Sequence, residues 1–172
     1  KKAAEAVNRS ERPVLYIGAG VVVSSAAKEV MEILKKADIP VTNTLLGIGA
    51  YPPDTDLSLG MLGMHGTYWA NKAMQAADVI IAAGARFDDR CTGKVCDFAK
   101  NAKIIHIDID PTAISKIVET DIPVVGDAKR VLKEMSAQIE KKERKEWIEK
   151  INGWKKEHPL SYEKNDDKLH PQ

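Results

Sequence analysis

Short apolar runs, each too brief for a helix, recur between segments of helical period along this chain, and no other feature narrows the fold as far. Val14, Leu15, Tyr16 and Ile17 form such a run between Pro13 and Gly18. Further runs stand at 39–44, 79–83, 103–110 and 123–125. A run that is apolar at successive positions buries both of its faces, which is the habit of parallel strands covered by helices on either side. Pro40 has no amide hydrogen and fits only the first position of the strand at 39–44. KIIHIDID at 103–110 instead alternates apolar and polar residues, and a further strand is allowed near 57–62.

Helical patterns fill the intervals. Ser24 or Ser25 can cap a helix running to about Lys36, with Val30, Ile33, Leu34 and Ala37 as its inner stripe. Small and apolar residues over 67–77 predict a second helix, Pro111 begins a short helical segment, and a longer helix runs from about Ala128 to Ile139. Strand and helix in alternation give an α/β domain, a Rossmann-like doubly wound parallel sheet of five or six strands. It occupies residues 13–140, after a helical, charged N-terminal linker at 1–12. Residues 141–172 read as a helical connector and an extended linker toward a further domain. In the connector Trp147, Ile151 and Trp154 recur at helical spacing. An amphipathic helix lying on its own domain is the favoured reading, against tryptophans that dock on a neighbouring one.

Composition removes several classes of function. The 172 residues can bury a sizeable core. A net charge of +1 and 5% aromatic residues leave neither a polyanion patch nor a base-stacking surface, so no nucleic-acid partner is expected. No apolar run reaches the length of a membrane span and no signal peptide opens the chain, so the expectation is a cytoplasmic protein without membrane contact. Cys91 and Cys96 lack the second pair of ligands that a zinc site needs. Both read as reduced thiols, and no metal site is expected.

Ligands in open α/β sheets sit beyond the carboxyl ends of the strands, and the chemistry-bearing residues of this chain follow its strands. Gly18, Ala19 and Gly20 follow the first, with Val23 where the dinucleotide fingerprint has its third glycine. They read either as a tight turn or as small residues that let a phosphate approach a helix start. Thr44, Leu45, Leu46 and Gly47 follow the second strand, either as a hydroxyl and apolar surface for a ligand or as core leucines at a turn. The irregular stretch 45–65 is long enough to expect a function for it.

GARFDDRCTGK at 84–94 follows the run at 79–83. Arg86 and Arg90 can hold a phosphate in bidentate fashion, and Asp88 and Asp89 can orient them or accept from ligand hydroxyls. A self-satisfied surface cluster explains the same residues equally well. The arginines favour ionised carboxylates, so the acidic pair is not read as a general acid and base, and no catalytic residue is assigned. Asp108 and Asp110 end the alternating strand where a ribose lies in a dinucleotide fold. His106 within that strand reads as a packed histidine. Asp127 follows the last strand and can cap the next helix.

Four segments together are more specific than any one of them: TLLGIGAYP at 44–52, GMHGTYWAN at 63–71, GARFDDRCTGK at 84–94 and HIDIDP at 106–111. They resemble the central domain of acetohydroxyacid synthase (acetolactate synthase), over roughly residues 8–140. The resemblance implies FAD bound in an extended conformation. Gly18, Ala19 and Gly20 would then lie near its phosphates. Thr44, Leu45, Leu62, Gly63, Met64 and His65 would lie along the flavin and its chain. Gly84, Ala85, Arg86, Phe87, Asp88 and Arg90 would complete that wall, and Asp108, Ile109, Asp127 and Ala128 would surround the adenosine. The chain departs from the family's pattern at Ala19, commonly a glycine, and at Cys91, often a valine.

The resemblance further implies a parent enzyme of branched-chain amino-acid biosynthesis. It joins two 2-keto acids, pyruvate with pyruvate or 2-ketobutyrate, with loss of carbon dioxide. Thiamine diphosphate and magnesium would be held by flanking domains, FAD would take no net redox part, and this piece alone would be inactive. The parent would be a homo-oligomer, with or without a regulatory subunit. Two alternatives are the middle domain of another thiamine-diphosphate enzyme, of pyruvate oxidase or glyoxylate carboligase type, and a structural domain with a vestigial nucleotide site. Arg86, Asp88 and Arg90 argue against the last, since an empty site has no use for them.

Overall fold

The structure, a computed structural model, describes residues 1–53 and 55–161, so most of the tail read as an extended linker lies outside the described residues. Helix α1 (Lys2–Arg9) leads into strand β1 (Pro13–Ile17), which is followed by a short helix α2 (Ala19–Val23) and by α3 (Ala27–Ala37). Strand β2 (Val41–Asn43) and a 3-10 turn precede β3 (Ser58–Met61), α4 (Tyr68–Ala76) and β4 (Val79–Ala83). A single turn of helix, α5 (Asp89–Thr92), and a second 3-10 turn lead to β5 (Lys103–Asp108), β6 (Ile122–Val125), α6 (Ala128–Gln138) and α7 (Lys145–Glu157).

The six strands form one sheet in the order β3-β2-β1-β4-β5-β6, with every pairing parallel. The doubly wound expectation holds, with the additional strand near 57–62 present as β3. Each strand sends alternate residues to opposite layers. Leu15, Ile17, Ile81 and Ala83 pack with Val7, Val30, Ile33, Leu34 and Leu132, under α1, α3 and α6. Val14, Tyr16, Ile80 and Ala82 pack with Trp69, Ala73, Met74, Trp147 and Ile151, under α4 and α7. Pro123 is tolerated because β6 is an edge strand. Pro40 falls one residue ahead of β2, where its carbonyl accepts from the Leu15 amide at 2.9 Å.

Two local expectations fail for the same reason. The helix expected from a Ser24 or Ser25 cap is α3, which starts later because Ser25 takes a left-handed φ of 54° and the Ser24 hydroxyl bonds back to the Val21 carbonyl at the end of α2, a short helix the sequence reading did not expect. Helix α3 starts at Ala27 without a side-chain cap. The helical segment expected from Pro111 is a series of turns, because Asp110 Oδ1 accepts from both the amide and the hydroxyl of Thr112. Short polar side chains offer the backbone a local alternative to the helix, and here they win.

The segments at both ends are packed on the domain. Ala3, Ala4 and Val7 of α1 are buried, and Asn8 bonds the backbone of Gln138 and Glu140 at 3.1 and 2.9 Å. In α7 Trp147 and Ile151 are buried and the Trp147 indole donates to the Pro13 carbonyl at 3.1 Å, so the tryptophan stripe lies on its own domain. The buried Arg144 guanidinium donates to the carbonyls of Val7, Ser10 and Ala37, at the ends of α1 and α3. A cation suits two helix carboxyl termini. Among the described residues no helix is long and apolar enough to cross a membrane.

Candidate dinucleotide-binding site

The chain leaves β1 toward β2 and β3 and later returns to β4 on the other side, so the strand order reverses between β1 and β4. A crevice opens at the carboxyl end of such a junction. Its floor is made of touching backbones. Gly18 donates to the Ala83 carbonyl at 3.0 Å and Gly20 to the Gly84 carbonyl at 3.2 Å. A Cβ on Gly20 would meet Gly84 Cα at 2.6 Å, and Gly84 itself has a φ of 58°. These glycines are needed to bring the two strand ends together, and the Gly20 amide is already committed to Gly84. Ala19 and Gly20 remain on the surface of the crevice, whereas Gly18 lies beneath it.

The crevice is a cavity of about 820 Å³, at the upper end of the usual range for small-molecule sites. Met61 lines it at the end of β3 and Asp108 at the end of β5, with Leu62 beyond β3, Thr44 beyond β2, Ala19 beyond β1, Gly84 beyond β4 and Gly126 beyond β6. At the usual strand spacing that is a trough about 24 Å long. Of the residues assigned to the site from sequence, all but Gly18, Gly63, Met64 and Phe87 line it.

Phe87 works from below. Its φ is 57°, and its buried ring lies 5.6 Å from Tyr16, 5.9 Å from Phe98 and edge-on to His106 at 5.1 Å. The anchored ring leaves its neighbours Arg86 and Asp88 exposed on the cavity wall. They approach one another at 3.8 Å, a solvated pair worth little in stability, so Arg86 is available to a ligand. Arg90 forms no ion pair among the described residues.

Gly63 and Met64 fasten the adjoining loop. The Met64 amide donates to the Arg90 carbonyl at 2.9 Å, and Asn71 both accepts from the Gly63 amide and donates to its carbonyl. Gly63 has a φ of 100°, and any Cβ there would run into the Arg90 carbonyl. Both residues line a smaller hollow of about 290 Å³ on the far side of that loop.

Thr44 accepts from the Gly47 amide at 3.1 Å, closing the 3-10 turn that lifts Leu45 and Leu46 to the rim at 68% and 70% exposure. Ile109 and Val23 are equally bare, so the trough has apolar lips. At the β5 and β6 end two carboxylates face the cavity. Asp108 accepts from the Asp110 amide and Asp127 caps α6 by accepting from the Arg130 amide, each at 3.0 Å and each through Oδ1. Asp110 is turned away into its bonds with Thr112, which hold its carboxyl below the usual range. His106 is buried with neither ring nitrogen bonded, and burial pushes its pKa down.

The wall also contains Val23, Ser24, Met61 and Ile107, which sequence reasoning missed. Met61 and Ile107 occupy strand ends and follow from the rule already used for their neighbours. Val23 and Ser24 reach the wall only because the chain breaks after α2. Among the described residues no three His, Cys, Asp or Glu side chains could together hold a metal ion.

Residues 1–135 match the model of the thiamine pyrophosphate enzyme central domain. The chain is 47% identical to an acetolactate synthase large subunit of Buchnera aphidicola subsp. Schizaphis graminum, over all of this chain and 31% of that protein. It is 50% identical to a probable acetolactate synthase large subunit of Methanocaldococcus jannaschii, over 91% of this chain and 27% of that protein. It is 45% identical to the mitochondrial acetolactate synthase catalytic subunit of Saccharomyces cerevisiae, over 99% of this chain and 27% of that protein. It therefore spans about a third of the length of these relatives or less. A match over most of its length, with the parallel sheet and the crevice at its switch point, makes this chain a member of the thiamine pyrophosphate enzyme central-domain family.

Proposed function

We propose that this chain is the FAD-binding central domain of an acetolactate synthase large subunit. The observation that carries the reading is a single trough crossing all six strand ends, with arginines midway and two carboxylates at one end. A mononucleotide would fill only part of it. The donor set fits an extended flavin dinucleotide: Leu45, Leu62 and His65 offer surface for the ring, Arg86 offers charge to the diphosphate, and Asp108 and Asp127 offer acceptors to ribose hydroxyls. The backbone contact of Gly20 with Gly84 keeps the middle of the trough shallow enough for a phosphate chain to cross.

The parent enzyme would condense pyruvate with pyruvate or 2-ketobutyrate, with loss of carbon dioxide. Thiamine diphosphate with magnesium, held by flanking domains, supplies the electron sink for that reaction. In this domain FAD is a structural ligand, and the residues here bind and orient it without moving a proton. The bare lips at Leu45, Leu46 and Ile109 are surfaces for those neighbours, and without them the ligand is held less tightly.

Titrating FAD with the purified chain while following flavin absorbance and fluorescence tests the reading. A saturable change in both is expected as the ring enters the apolar end. Spectra that stay those of free FAD at every protein concentration overturn it.

A further inference from the structure

His106 is 1% exposed on β5, and neither of its ring nitrogens has a hydrogen-bond partner. An imidazole buried in this way costs more than an apolar side chain of similar size, so packing alone does not account for it. Its position ties it to the trough from two sides. Two residues along the same face of β5 stands Asp108, which lines the trough. Across the layer the ring meets Phe87 edge-on, with 5.1 Å between centroids. Phe87 stands between Arg86 and Asp88, both on the trough wall. Their loop starts against the same strand, because the Gly84 amide donates to the Ile107 carbonyl at 2.8 Å.

The rest of the layer offers this histidine little. Tyr16 on β1 is a buried, neutral phenol, and Cys91 on α5 is a half-buried thiol. Ala82 and Pro123 flank His106 on the neighbouring strands, and α4 and α7 contribute Trp69, Met74, Trp147 and Ile151. Asp108 is the one carboxylate that acts on the ring, and the Ala85 backbone is its other polar neighbour. Both of them line the trough.

We propose that His106 is a positioning residue of the trough, which holds Arg86 and Asp88 in place through Phe87 while it is neutral and weakens FAD binding when it takes up a proton. An imidazolium donates from both nitrogens. The acceptors that act on it are the Ala85 carbonyl and the Asp108 carboxylate, so proton uptake draws two wall residues inward, beneath the Phe87 ring. Asp108 is then lost to a ribose hydroxyl, and an imidazolium paired with it has little charge left for the diphosphate. Burial keeps the ring neutral at pH 7, so the trough is in its binding form there. The effect on FAD rests on the function proposed above, whereas the coupling of His106 to the loop does not.

FAD affinity is measured between about pH 7.5 and pH 5, beside the nuclear magnetic resonance titration of His106 with and without FAD. The parent chain is expected to lose roughly threefold or more in affinity as pH falls, and His106→Leu is expected to lose that pH dependence. Linkage requires bound FAD to push the His106 pKa further down in the parent chain, which decides the matter even if the variant does not fold. Affinity that rises at low pH, equal pH profiles in the two chains, or a His106 titration unmoved by bound FAD overturns the proposal. If the parent chain binds no FAD at pH 7.5, the function proposed above fails and the coupling is read from the Arg86 and Asp88 amides. Their shifts are expected to follow the His106 midpoint, and amides that ignore it overturn the positioning role.

Discussion

The amide of Met64 donates to the carbonyl of Arg90 across 2.9 Å, and this bond joins the two segments that carry most of the chain's specific sequence. One follows β3 and the other follows β4, three positions apart in the sheet. Each holds cavity residues on one side of the junction, Leu62 and His65 in the first, Arg86, Asp88 and Arg90 in the second. Their relative placement depends on Gly63, which alone lets the backbones meet.

Gly63→Ala is expected to damage fold and site together. The new Cβ requires a left-handed residue and collides with the Arg90 carbonyl. Incompatible backbone of this kind costs more than about 1 kcal/mol. Thermal unfolding should show a lower midpoint, and FAD affinity should fall in the protein that remains folded. An unchanged midpoint would mean that the two loops are not bound to one another as described.

Arg86→Ala should remove a charge-assisted bond worth roughly 1.5–3 kcal/mol, about tenfold or more in FAD affinity. Stability should hardly change, because the side chain is 71% exposed and its contact with Asp88 is loose. Titration and thermal melting of one preparation separate the two. FAD affinity equal to that of the parent chain removes Arg86 from the site.

Arg144→Met should do the reverse. It leaves the carbonyls of Val7, Ser10 and Ala37 without their donor in a buried place. Several charge-assisted bonds are lost at once, and a loss of roughly 3 kcal/mol is expected in denaturant unfolding. The residue is remote from the trough, so the folded fraction should bind FAD as before. A stability loss within error of zero would show that solvent replaces the guanidinium at those carbonyls.

His106 makes stability depend on pH. Burial holds its folded pKa below the ordinary 6.5, opposed in part by the Asp108 carboxylate. The unfolded chain then binds the proton more readily, so stability is unaffected above about pH 6.5 and falls as pH drops below it, until the folded pKa is passed. Thermal midpoints measured from about pH 7.5 to 5 should fall less steeply for His106→Leu than for the parent chain. Parallel profiles would show that His106 finds a partner when protonated.

The strands were legible because burial of both faces leaves a mark on every residue, and β1 and β4 are apolar throughout. The caps of α4 and α6, Thr67 and Asp127, sit where a polar residue meets a helical pattern, and Asp127 was read as such. The break at Ser25 was not legible, since a left-handed serine is imposed by what the chain packs against. Phe87 looked like part of the wall because it stands between Arg86 and Asp88. Its φ and its contacts with Tyr16 and His106 are tertiary facts that adjacent sequence does not record. Gly18 misled in the same way, because a glycine that admits a ligand and one that admits a neighbouring backbone look identical in sequence.

The dinucleotide reading of the trough is tested most directly by calorimetric titration of the chain with FAD and, separately, with ADP. A ligand that spans all six strand ends should bind saturably and more tightly than ADP, which reaches only the end at Asp108 and Asp127. FAD and ADP binding with equal affinity, or no saturable heat with FAD, would show that the trough is not a flavin dinucleotide site in this domain.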